Sequence, residues 1–395
     1  MEEWKQRTED DGGVDDSGTI FPGSQSEHEP ETIYPATNVK IDRVQFSIFE
    51  LKRRYDKGTI CLDPDFQRKQ VWTNRQKSEL IESVIMGIPL PLIYMAETME
   101  GSLVIVDGRQ RLSSFFEYMD NSFALSNLKI LPDLNGCKFE DLEKDEKKRK
   151  YATEIEDFQL VIQIIKYPTP DRIRFDIFDR VNRGGTQLNN QEMRNALYQG
   201  AATELLKALA GSATFKVATG SSVSPVRMKD RYIILRALSF CLWNRNELRK
   251  KNGELVKYRS DMEEFLGYAM EQLNRMQPVE LKCLQNQFER IMNTAFTVLG
   301  ENAFRIPGSK ERRRPVSMTL FESMYYFFSL IVNSERDIRP EKILEATAEM
   351  LEDRVFLQAL TYNVDSAVHV YERFQTVKNK FKELEDAEQS KDKRI

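Results

Sequence analysis

The chain has 395 residues, 41% hydrophobic and 30% charged, with 58 basic and 62 acidic residues and a net charge of −4. That length and hydrophobic fraction are enough for two domains with a sizeable core, and no apolar stretch approaches the roughly 20 residues that a membrane-spanning helix needs. The charge is uneven: residues 1–40 hold ten acids and three bases, a net of −7, while the other 355 residues carry +3, so the acidic total does not exclude a nucleic-acid partner.

Residues 1–40 are rich in Asp, Glu, Gly and Ser and read as a disordered acidic tail; lacking a hydrophobic signal region, they point to a cytoplasmic protein. Next come Leu62, Asp63, Pro64, Asp65, Phe66, Gln67 and Arg68, then Val71 and Trp72. Thr73 and Gln76 have capping-box spacing for a helix with Leu80, Ile81, Val84 and Ile85 as its apolar stripe, and Gly87, Pro89 and Pro91 stop it. Leu92 to Met95 reads as a short strand.

The run Val104, Ile105, Val106, Asp107, Gly108, Arg109, Gln110, Arg111 follows. A β-branched apolar run, a glycine and then a helix-compatible segment predict strand, tight turn and helix start. A helix N-terminus attracts anions, and two arginines add full positive charges, so phosphate is the expected guest. Asp107 beside it is a candidate to hold a metal or orient water.

Glu140 to Lys150 alternates acid and base and reads as a solvated helix face that includes Lys147, Lys148, Arg149 and Lys150. Phe158 to Ile165 is β-rich. Thr169, Pro170 and Asp171 then give an N-cap, a proline at the first helical position and an acid in the first turn. That helix carries Ile173, Ile177, Phe178 and Val181 and ends at Asn182, Arg183, Gly184, Gly185. The two glycines would either cap the helix or allow a close backbone approach. A further helix starts at Asn190, its inner face including Met193, Ala196 and Leu197.

Beyond residue 200 the pattern is helical: Tyr232 to Trp243, Met262 to Leu273, Leu281 to Leu299, Met318 to Val332, Lys342 to Leu351 and Val364 to Phe381 all show helical apolar spacing. Arg312, Arg313 and Arg314 fall in a loop between two apolar helices and are candidates for a DNA or partner contact. Cys61, Cys137, Cys241 and Cys283 stand far apart and read as reduced, buried thiols. The two histidines, His28 and His369, belong to no nuclease motif, and His369 reads as a helix-face residue.

Three blocks together, Pro64 to Trp72 with Ile88 to Pro91, Val106 to Arg111, and Phe178 to Leu188 with Glu192 and Asn195, resemble the N-terminal domain of GmrSD-type modification-dependent restriction endonucleases. The segment from Arg227 to Phe240 is also similar to that family. The resemblance implies an α+β fold, with a ParB/sulfiredoxin-like nucleotide-binding domain over 41–200, an α-helical domain over 201–383 and a charged tail over 384–395. It implies a nucleoside triphosphate ligand, with Mg as an accompanying ion. By that likeness Arg111 is assigned to phosphate, Gln110 to phosphate or attacking water, and Asp107 to metal or loop geometry. Gly108, Arg109, Gln67, Arg68, Asn182, Arg183 and Gly184 are assigned to the nucleotide pocket.

The family loop reads Asp, Gly, Gln, Gln, Arg, so Arg109 stands where the first Gln belongs and puts turnover in doubt. With no His-Asn-His motif after the domain, the resemblance implies a nucleotide-driven subunit or sensor in bacterial DNA restriction or phage defence. Nuclease action would come from a partner, and DNA and a second copy of the chain are further candidate partners. The alternative is a non-enzymatic DNA-binding or protein-interaction module of the same fold.

Overall fold

The computed structural model describes residues 40–62, 72–98, 101–169, 189–307, 314–334 and 336–392, with residues 173, 174, 177, 178 and 180 between them. The expected acidic tail lies outside these residues apart from Lys40. The chain divides into two compact units, Tyr34–Leu197 and the part from Tyr198 onward.

The first unit is built on a five-stranded mixed sheet. Its strands are β1 (Ile41–Ser47), β2 (Ile60–Cys61), β3 (Ile93–Glu97), β4 (Leu103–Asp107) and β5 (Gln159–Ile165), in the order β1-β5-β3-β4-β2. β4 pairs antiparallel with β3 and parallel with β2, and its first four residues are buried. A strand hydrogen-bonded on both sides and packed on both faces has no polar positions to spare, which is why it reads as a continuous apolar run rather than an alternating one.

The helices of this unit are α1 (Ile48–Asp56), α2 (Asn74–Ile85), α3 (Arg109–Met119), α4 (Phe139–Lys144), α5 (Arg149–Asp157) and α6 (Asn190–Leu197). Thr73 and Gln76 form the expected capping box, and Leu80, Ile81 and Val84 go into the core with Leu112, Phe115 and Phe116 of α3. Glu140 to Lys150 is not one helix face. Asp145 ends α4 and accepts the Lys147 N–H at 2.9 Å, a local turn that competes with helix continuation, and α5 restarts at Arg149.

The second unit is helical: α7 (Ala201–Gly211), α8 (Ala213–Thr219), α9 (Lys229–Asn244), α10 (Met262–Arg275), α11 (Pro278–Leu299), α12 (Met318–Asn333), α13 (Pro340–Glu352), α14 (Arg354–Thr361) and α15 (Ala367–Asp392). α15 runs through the boundary expected at 384 because Leu384 is still buried in the bundle core. α9 and α12 are apolar nearly all round and pack against one another as the centre of the bundle. Phe240 of α9 lies 4.8 Å from the ring of Phe265 and 5.0 Å from that of Phe374. Cys137 and Cys241 are buried as expected, but Cys283 is exposed: the first turns of α11 bury no residue before Phe288.

Inside this aromatic core sits an ionic cluster. Glu322 of α12 accepts from Arg236 Nε of α9 at 2.6 Å and from Arg236 Nη2 at 3.2 Å, and it also accepts from Arg373 Nη2 of α15. All three side chains are fully buried, and Asp365 takes a further Arg236 N–H at 2.7 Å. Burial opposes the Arg236 charge, but Asp365 and Glu322 outweigh it and hold the guanidinium well above its ordinary range. Burial likewise opposes the Asp365 charge, yet Arg236 holds that carboxyl below its ordinary value.

Gly200, the N-cap of α7, has φ 141° and ψ −152°, a region that side chains rarely enter. A Cβ there would lie 2.8 Å from Asn274 Oδ1, which accepts the Ala202 N–H. Gly200→Ala is expected to cost about 1–3 kcal/mol of unfolding free energy. Chemical denaturation checks this, and a loss under about 0.5 kcal/mol would mean that the backbone relaxes freely.

Candidate functional site

Asp107 closes β4, so the strand pairing that fixes β4 also fixes this carboxylate. The next residue, Gly108, is buried with φ 91° and ψ 10°, and it turns the chain directly into α3. A Cβ at this position would meet Ile93 Cγ1 at 2.8 Å and Arg111 Nη2 at 3.1 Å. Glycine therefore satisfies both the left-handed backbone and the close approach of β3. Having no side chain, it also leaves the α3 N-terminus without a side-chain cap.

One turn into α3, Arg111 folds back over the turn. Its Nη2 donates to Asp107 Oδ2 at 2.9 Å and to Leu92 O at 3.1 Å, and Nη1 donates to Pro91 O. Three of the five guanidinium N–H groups thus hold the strand end and the Pro91–Leu92 segment together. Burial pulls the Arg111 guanidinium below its ordinary value, partly countered by the Asp107 charge. Its side chain is 12% exposed and that of Asp107 is 37% exposed. A largely desolvated cation whose one carboxylate partner lies open to solvent favours the approach of a second anion.

Gln110 is occupied within the fold. Its Oε1 accepts the backbone N–H of Trp72 at 3.1 Å, and its carbonyl accepts Ser114 Oγ at 2.7 Å. Arg109 is half-buried. Asp107 bonds to Arg111 through Oδ2, which leaves Oδ1 as the oxygen able to meet a cation. Among the described residues no group of three or more His, Cys, Asp and Glu could hold a metal ion.

Of the other expected site residues, Gln67, Arg68, Asn182, Arg183 and Gly184 lie outside the described residues, as do Arg312 and Arg313. Arg314 is exposed, and its carbonyl accepts from the buried Arg305, which also donates to Thr219 O at 2.7 Å. Glu192, a resemblance residue, caps α6: it accepts the Asn189 N–H at 2.8 Å and returns its own N–H to Asn189 Oδ1 at 2.8 Å. His369 lies on α15, its Nδ1 3.2 Å from Asn363 O.

Sequence reasoning missed the anchors of Arg111 and Gln110. Pro89 and Pro91 were legible as helix stops. The same prolines also mark an extended segment whose carbonyls have few backbone donors nearby, and an arginine can take that role.

The model of the GmrSD restriction endonuclease N-terminal domain matches residues 48–199. No curated protein and no solved structure matches the chain. No helix among the described residues is long and apolar enough to cross a membrane.

Proposed function

As residues 48–199 match the model of the GmrSD restriction endonuclease N-terminal domain, we propose that this chain is a nucleotide-binding subunit or sensor of a bacterial restriction or phage-defence system. Its ligand is a nucleoside triphosphate bound at the turn between β4 and α3. The observation that carries the reading is Arg111: a desolvated guanidinium at a helix N-terminus beside a buried glycine turn. The α3 N–H groups and Arg111 would hold phosphate oxygens. A Mg ion, when bound, would neutralise charge between the phosphates, with Asp107 Oδ1 as its protein ligand. In this proposal DNA cutting falls to a partner nuclease, as His369, the one histidine in residues 200–395, belongs to no His-Asn-His motif. Arg314 remains a candidate DNA contact, and self-association of the chain is part of the proposal to be measured by mass in solution.

Gln110 favours a second reading, binding without turnover. Its carboxamide oxygen accepts the Trp72 N–H and is not free to orient an attacking water.

The test is thermal shift and phosphate release with ATP, GTP, CTP and UTP plus Mg, in parallel with Arg111→Ala. One nucleotide is expected to raise the melting temperature, and Arg111→Ala is expected to weaken its binding about 10- to 100-fold, as for a charge-assisted hydrogen-bond donor. Phosphate release above background selects hydrolysis, and stabilisation without release selects the second reading. No shift with any nucleotide rejects both.

A further inference from the structure

α6 is a short helix whose polar side chains go inward. Gln191 is 3% exposed, Glu192 8%, Arg194 0% and Asn195 3%. It packs against β4, the strand that ends in Asp107. Helices normally bury an apolar stripe, so a buried polar face needs a partner for each group it removes from water.

Most of that face accounts for itself. Glu192 and Asn189 cap the helix start. Gln191 Oε1 accepts Arg194 Nη1 at 2.6 Å. One exception is the other half of the same amide: Gln191 Nε2 is buried and has no hydrogen-bond partner among the described residues. Exchanging the amide nitrogen and oxygen does not remove the problem. Arginine only donates, so the exchange would set two donors against each other and leave the oxygen orphaned instead. Accepting from Arg194 requires only the amide oxygen, and the cap does not use this amide. A buried donor with no partner calls for an explanation.

We propose that Gln191 is a ligand-contacting residue of the nucleotide site, its Nε2–H donating to a phosphate oxygen of the bound triphosphate. This rests on the nucleotide reading above and adds α6 as a second wall of the same site. Phosphate is favoured over an uncharged acceptor because the amide oxygen is held by a buried arginine. That hydrogen bond polarises the amide and strengthens Nε2–H as a donor toward an anion.

Two variants of the full chain separate this role from packing. Gln191→Glu keeps an acceptor for Arg194 and removes the donor. Gln191→Met removes the amide without adding charge, which guards against reading simple repulsion as a lost contact. Wild type, both variants and Arg111→Ala are titrated by calorimetry with the four nucleoside triphosphates plus Mg, with inorganic triphosphate and with the nucleosides, and each is melted without ligand.

The expected result is a ligand-free melting temperature for Gln191→Glu close to wild type, because the new carboxylate charge faces the buried Arg194 that already donates to this side chain. Triphosphate affinity should fall about 10-fold or more in both variants. Wild-type affinity in both variants, with Arg111→Ala still impaired, overturns this proposal alone and assigns the amide to a buried water or to packing. A loss that extends equally to nucleosides overturns the phosphate assignment. No binding by wild type overturns the nucleotide reading and this proposal together.

Discussion

Glu322→Ala is expected to cost the helical unit about 3–5 kcal/mol, the usual penalty for removing one partner of a buried ion pair. The variant would leave Arg236 and Arg373 facing each other in an aromatic core, with Asp365 still bonded to Arg236 alone. Arg373 would keep only backbone carbonyls, Val364 O at 2.5 Å and Ala359 O at 3.4 Å. For a unit of about 200 residues that penalty corresponds to a melting shift of about 10 °C. Glu322→Gln should do less damage, because it retains an acceptor for one arginine.

The informative comparison is a triple replacement of Glu322 by Leu with Arg236 and Arg373 by Met. If the cluster serves as a specificity device and not as a source of stability, the triple variant should recover most of the loss. Urea unfolding of the three proteins decides it, and a Glu322→Ala loss below about 1 kcal/mol would mean that water reaches the cluster readily.

The same cluster sets an acid response. Asp365 has a folded pKa below its ordinary 3.8 because Arg236, with help from Arg373, outweighs the burial penalty. A depressed carboxyl pKa contributes stability that is complete above the unfolded value and is lost as pH falls through the folded one. The groups facing Asp365 are Arg236, Arg373, Glu322 and Tyr258, whose hydroxyl donates to the Asp365 carbonyl at 2.5 Å. Asp365→Asn should therefore lower stability near neutrality and flatten the acid transition below about pH 4, as measured by urea midpoints across pH.

None of this was legible in the sequence, and the reason is periodic. Arg236 sits in Tyr232 to Trp243 and Glu322 in Met318 to Val332, segments whose apolar spacing reads as core whatever the occasional charge does. The hydrogen-bonded pairs of the cluster stand up to 129 positions apart, and a single sequence carries no signal for such a pairing. Local features fared differently. The capping box at Thr73 and Gln76 and the Asp107–Gly108 turn are short-range chemistry, and each formed where its residues stand.

The short helices α7 and α8 escaped notice because one follows the other directly, Ser212 ending one and capping the other. In the candidate site, Asp107, Gly108 and Arg111 were legible from the turn. The anchoring carbonyls of Pro91 and Leu92 were not, since a backbone acceptor has no residue identity to read.

Gly108→Ala is expected to damage both fold and site, and it can show how the two depend on each other. The φ of 91° costs an alanine about 1–3 kcal/mol. The added Cβ would press on Ile93 Cγ1 at 2.8 Å and crowd Arg111 Nη2 at 3.1 Å. Ile93 begins β3 and cannot retreat without disturbing its pairing with Ile162 of β5. Arg111 is therefore the group expected to move, which breaks its bonds to Asp107 and Leu92.

Gly108→Asn separates the two costs, because asparagine tolerates a left-handed backbone far better than alanine but carries the same Cβ. If strain at φ dominates, asparagine should recover most of the stability lost in Gly108→Ala. If the close approach dominates, both variants should be equally unstable, and both should lose the nucleotide-dependent melting shift. Asparagine matching wild type in stability and in that shift would mean that the turn needs only its backbone angle, and that the fit of Arg111 over Gly108 contributes nothing to binding.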